Sequence, residues 1–158
     1  MAAFDALAPA SPGPATLAVR AAWRGDLAGE GRLHLLAARA LDGDDRARAL
    51  LAGARALRSG AADEALAAVL ALTPERARGA AWSSVAVEGA QLALSRRDPA
   101  SALALVERLV DPPVAALVLA ALAEDGLGRR DAARERLVAA WSKDPDGARA
   151  AVSSMGLG

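Results

Sequence analysis

The chain has 158 residues, enough for one domain or a short repeat array. It is 54% hydrophobic, mostly Ala and Leu, with 3% aromatic residues and neither Ile nor Cys; this excludes disulfides, thiolate nucleophiles and Cys-based metal centres, and it favours an all-α fold over sheet. Nineteen basic residues balance nineteen acidic ones, so the composition offers no electrostatic footprint for nucleic acid or an anionic membrane.

Residues 1–14 read as a flexible Pro/Ala-rich tail, in which Phe4 and Leu7 are apolar and Pro9, Pro12, Gly13 and Pro14 interrupt regular structure. The tail has no positive region before an apolar stretch, so it is a poor secretory signal, and the expected compartment is the cytoplasm. Residues 15–158 are expected to form a single helical domain. The pattern predicts four antiparallel helix pairs, over about 15–41, 44–72, 75–110 and 113–142, and a short capping helix at about 146–154. Within them the helices fall at about 15–24 and 30–41, 44–58 and 62–72, 75–95 and 99–110, and 113–124 and 129–142. The apolar run Pro112 to Ala123 is too short to span a bilayer.

Punctuation supports the division. Gly25-Asp26, Gly60-Ala61, Arg97-Asp98 and Gly128-Arg129 fall at turns and recur at roughly 31 to 37 residues, the period of a stacked helix-pair array. Asp42-Gly43-Asp44 reads as a stop followed by an N-cap, and Ser59-Gly60 as a C-cap and turn. Thr73-Pro74, Asp98-Pro99, Asp111-Pro112 and Asp144-Pro145 each pair a capping side chain with a proline suited to the first helical turn. Leu50, Leu51, Ala54 and Leu57 share a face opposite Arg48, Arg55 and Arg58. In the last pair Ala133, Leu137, Ala140 and Trp141 form the inward face, with Trp141 filling a gap in an Ala-rich core. Trp23 and Trp82 suit either a core or an interaction anchor.

The stretch Val114 to Pro145 resembles a tetratricopeptide repeat: Ala121 lies at the helix crossing, Gly128 at the turn, Ala133 and Leu137 in the second helix, and Ala140 and Pro145 at its end. Gly53, Gly60, Ala65, Val69 and Pro74 follow the same order two array steps earlier, in the second pair. The resemblance implies a right-handed superhelical array whose first helices line a concave groove. The lining would be Val19 and Trp23, then Leu50, Ala54 and Leu57, then Val87, Glu88 and Gln91, then Val118 and Leu122. The groove is largely apolar. The chain has no Asn and a single Lys, Lys143, away from the groove, so it lacks the carboxylate clamp of chaperone-binding members.

No set of residues points to catalysis, a metal or a cofactor. His34 is the only histidine and stands among leucines, where no base–nucleophile pair can be assembled. Asp42, Asp44 and Asp45 lack the glycine-centred loop and closing Glu of a calcium hand. Ser83-Ser84 has no nucleophile elbow, and Gly29-Glu30-Gly31 has no phosphate-cradling continuation. The expected function is a non-enzymatic adaptor that binds a peptide or an amphipathic helix of another protein. Alternatives are a secretion-type chaperone holding a client segment and a self-assembling structural array. The groove would be covered by the partner, by a second copy in a homodimer, or by the tail through Phe4 and Leu7.

Overall fold

The computed structural model describes residues 13, 14, 17 and 24–155. The expected tail, except Gly13 and Pro14, and the groove residues Val19 and Trp23 lie outside the described residues. The chain is all-α. The helices are α1 (Leu27–Ala40), α2 (Gly43–Leu57), α3 (Ala62–Leu72), α4 (Ala80–Ser95), α5 (Pro99–Glu107), α6 (Val114–Gly126), α7 (Arg130–Lys143) and α8 (Pro145–Ser154). Two compact units are present, Met1–Ala68 and Val69–Gly158, with the division inside α3.

In the first unit, α1 starts at Leu27, three residues before the expected position. The cause is Asp26, whose carboxylate accepts a hydrogen bond from the Gly29 amide at 2.8 Å and so satisfies an orphan donor of the first turn. Helix α2 starts at Gly43, so Asp44 falls in its first turn and does not cap it. Asp42 turns its carboxylate to Arg46 at 3.0 Å instead. The Arg46 guanidinium in turn donates to the Leu41 carbonyl at 2.6 Å and the Ala38 carbonyl at 3.2 Å, closing the end of α1. Helices α1 and α2 pack closely because Gly31 and Gly53 carry no Cβ. A Cβ on Gly53 would stand 2.7 Å from the Leu35 side chain and 3.0 Å from the Gly31 carbonyl oxygen. Leu50, Ala54 and Leu57 are fully buried, while Arg48, Arg55 and Arg58 are exposed, as the helical face requires. Arg32 donates two hydrogen bonds to Glu64, at 2.8 and 2.9 Å, joining α1 to α3. These bonds hold the Glu64 carboxyl below its ordinary range and raise the guanidinium above its own.

In the second unit, α4 packs on α5 and α6, α5 on α6, α6 on α7, and α8 on both α6 and α7. The helix expected from about residue 75 begins at Ala80, after Gly79 with φ +91°. Residues 74–79 are held otherwise. Thr73 finishes α3, its hydroxyl donating to the Val69 carbonyl at 2.7 Å, so it does not cap the next helix. Ala77 then forms a parallel bridge to Leu109, donating to the Arg108 carbonyl at 2.8 Å and accepting from the Val110 amide at 3.0 Å. Arg108 donates to the Leu70 and Thr73 carbonyls at 2.6 and 2.9 Å, which neutralises the end of α3.

The α4–α5 and α6–α7 turns are one structure repeated after 31 residues. Arg96, Arg97 and Asp98 donate to the Leu92, Leu94 and Ala93 carbonyls at 3.1, 3.0 and 2.9 Å. Leu127, Gly128 and Arg129 donate to the Ala123, Asp125 and Glu124 carbonyls at 3.0, 2.9 and 2.9 Å. The left-handed position is Gly128 (φ +77°) in one turn and Arg97 (φ +60°) in the other. Two of the expected Asp-Pro caps form: Asp98 accepts from the Ser101 amide and Asp144 from the Gly147 amide, both at 3.0 Å. Asp111 does not cap. It pairs with Lys143, and α6 begins after Pro113.

Left-handed backbone costs a non-glycine residue about 1–2 kcal/mol, partly offset by the extra unfolded-state freedom of glycine. Arg97→Gly is therefore expected to stabilise the chain by about 0.5–1 kcal/mol, raising the midpoint of thermal unfolding by about 2 °C. An unchanged or lowered midpoint would remove the strain assigned to this turn. The hydrogen bonds from Ser101 hold the Asp98 carboxyl below its ordinary range. A depressed carboxyl stabilises the fold above its unfolded pKa and loses that contribution as pH falls through the native value. Asp98→Ala should cost about 1 kcal/mol at neutral pH in urea unfolding, and the gap to the parent should narrow as pH falls through the lowered native pKa of Asp98. A gap that persists in acid would contradict the capping role.

Candidate functional site

The second unit carries an open cleft of about 490 Å³ between α6, α7 and α8. Its floor is Val118 and Ala121 of α6, both buried, with Ala133 of α7. Leu122, Leu137, Trp141 and Val152 form its apolar walls, and Asp125, Arg130 and Arg134 its polar rim. The volume falls within the ordinary range for a ligand pocket of roughly 300–1,000 Å³. Trp141 is 38% exposed, and Val138, one turn away on α7, is 60% exposed. The expectation that Trp141 plugs the core is corrected: it lines the open cleft and is too exposed to belong to the interior.

The walls are held by charge and capping. Glu124 is buried at the end of α6, its side chain 6% exposed. Arg129 lies 3.4 Å from it and Arg136 3.9 Å, and Arg136 also reaches Glu107 of α5 at 3.1 Å. A buried carboxylate left without these guanidiniums would be strongly destabilising, so the network fixes α7 against α5 and α6. At the other end, Lys143 donates to the Pro112 carbonyl at 3.0 Å and pairs with Asp111. Asp144 caps α8, accepting from the Gly147 amide at 3.0 Å.

Of the groove residues named from the sequence, the structure brings Val118 and Leu122 into this cleft. Leu50, Ala54 and Leu57 do not line an open surface. They are fully buried in the first unit, where the apolar face of α2 is consumed by packing on α1. Glu88 is likewise corrected from groove to interior, since only 6% of it is exposed. Val87 and Gln91 are half-buried on α4. Trp82, 6% exposed, belongs to the core of the second unit. Sequence reasoning missed Trp141, Arg130 and Arg134 as lining. The available signal was the spacing of Arg130, Arg134, Leu137 and Trp141, which places all four along one side of a helix.

Other candidates resolve into structural roles. His34 Nε2 lies 3.6 Å from Glu30 Oε1 within α1. Asp42 and Asp45 pair with Arg46 and Arg48, each at 3.0 Å. Among the described residues no three His, Asp or Glu side chains gather as metal ligands, and no helix is long and apolar enough to cross a membrane. No known protein family, curated protein or solved structure matches the chain.

The two tryptophans should separate in stability. Trp82→Ala is expected to cost about 3–5 kcal/mol, as for a buried aromatic truncation, and Trp141→Ala about 1 kcal/mol or less. Equal losses in urea unfolding would place Trp141 in the core.

Proposed function

We propose that this chain is a non-catalytic binding module that takes an apolar segment of another protein, helical or extended, in the cleft between α6, α7 and α8. The observation that carries this is Trp141. It is a part-exposed aromatic, 38% of its surface left uncovered by the fold, on a wall shared with Leu122, Leu137 and Val152. Tryptophan supplies a large contact area with few rotors, and aromatic anchors of this kind dominate protein interfaces. An apolar cleft rimmed by charge is the arrangement that accepts an amphipathic helix or a hydrophobic peptide. We read α4–α5 and α6–α7 as successive layers of a tetratricopeptide-like array. Supporting this are the two identical turns 31 residues apart and the residue pattern of Val114 to Pro145.

The test uses a designed 14-residue peptide with leucines at helical spacing, titrated calorimetrically into the full chain. Binding in the micromolar range is expected, weakened at least about tenfold by Leu122→Glu. Absence of binding by the parent, or equal affinity in a folded Leu122→Glu variant, would overturn the reading.

A further inference from the structure

Resting on that reading, we infer that the cleft is built for an acidic amphipathic helix about three turns long, whose carboxylates pair with Arg130 and Arg134. The charge balance of the lining points to acidity. Arg130 and Arg134 lie one turn apart on α7 and both face the cleft. Neither has an ion-pair partner among the described residues. The other cations of this hairpin are engaged: Arg129 with Glu124, Arg136 with Glu107 and Glu124, and Lys143 with Asp111. Asp125 is the single acidic residue of the lining, so the rim carries two positive charges and one negative.

The walls point to a helix. Apart from the three charged side chains, the lining residues are Val, Ala, Leu and Trp. An extended segment laid there would bury backbone amides and carbonyls against side chains that cannot pair with them. A helix brings its own backbone hydrogen bonds and presents only side chains. The length follows from α7: from Arg130 to Trp141 is eleven residues, about 16 Å at 1.5 Å per residue, or three turns. Leucines on the inner stripe of the ligand would meet Leu122, Leu137 and Trp141. Carboxylates four residues apart on its flank would meet the two guanidiniums, which suit paired contacts to such groups.

Three 14-residue peptides with the same leucine stripe test this against the full chain at low ionic strength: one with flanking Glu pairs, one with Gln and one with Lys at those positions. The Glu peptide is expected to bind about five- to tenfold more tightly than the Gln peptide, the Lys peptide most weakly, and the bound Glu peptide to gain helical circular dichroism. Arg130→Gln with Arg134→Gln should level the Glu and Gln affinities, and Arg130→Glu with Arg134→Glu should reverse the order. Both sites are exposed, so unfolding midpoints are expected to stay close to the parent's. Equal affinity for the Glu and Gln peptides, both still weakened by Leu122→Glu, would overturn the acidic preference and leave the cleft reading intact. Failure of all three to bind would overturn both. Binding without gain of helicity would overturn the helical occupant. Peptide-sensitive self-association in sedimentation, with no preference for Glu, would replace the acidic partner by a second copy of the chain.

Discussion

Close approach of helices at side chains of minimal size is the constraint on which the rest of this structure depends. In the first unit Gly31 and Gly53 let α1 and α2 meet almost backbone to backbone. In the second, a Cβ on Gly89 of α4 would stand 2.6 Å from Val69 and 2.8 Å from Leu105. Alanines fill most of the remaining core positions. Such interiors bring helices near the lower end of the usual 8–10 Å separation, but each residue buries little apolar surface. The few large side chains therefore divide sharply by role. Trp82, Leu50, Leu57, Leu105 and Leu119 are consumed by the core. Trp141 and Val138 stay partly outside it on α7, as Leu27 and Leu36 do on α1.

The order of the hairpins comes from their ends. One hydrogen-bond pattern, repeated after 31 residues, closes both α4 and α6, and Asp98 and Asp144 cap α5 and α8. Between these ends, Glu124 with Arg129 and Arg136 ties three helices together beneath the cleft. Arg130 and Arg134, exposed on the same helix, stand at the rim of the cleft.

Much of this was legible in the chain itself, and the parts that were not share a cause. Helices α6, α7 and α8 begin and end within two residues of their expected places because their signals are local: Gly128 at the turn, Asp144-Pro145 at the cap. Thr73-Pro74 carried an equally good local signal and misled, because Arg108 and the bridge to Leu109 take over that segment from more than thirty residues away. The groove failed in the same manner. A helical face at Leu50, Ala54 and Leu57 is visible in the sequence, but whether it meets solvent or another helix depends on what packs on it, and α1 does. Trp141 was placed on the correct side of α7, yet periodicity cannot say that this side lines an open cleft. The candidate site was therefore half legible, through Val118 and Leu122, and its rim arginines were not.

The most direct measurement of the central claim is the indole N–H resonance of each tryptophan in a heteronuclear spectrum of the full chain, followed while the Glu-flanked peptide is added. The account predicts that the Trp141 signal, assigned by its loss in Trp141→Phe, moves and saturates with peptide while the Trp82 signal stays in place. Saturable peptide binding that leaves Trp141 unmoved would contradict it.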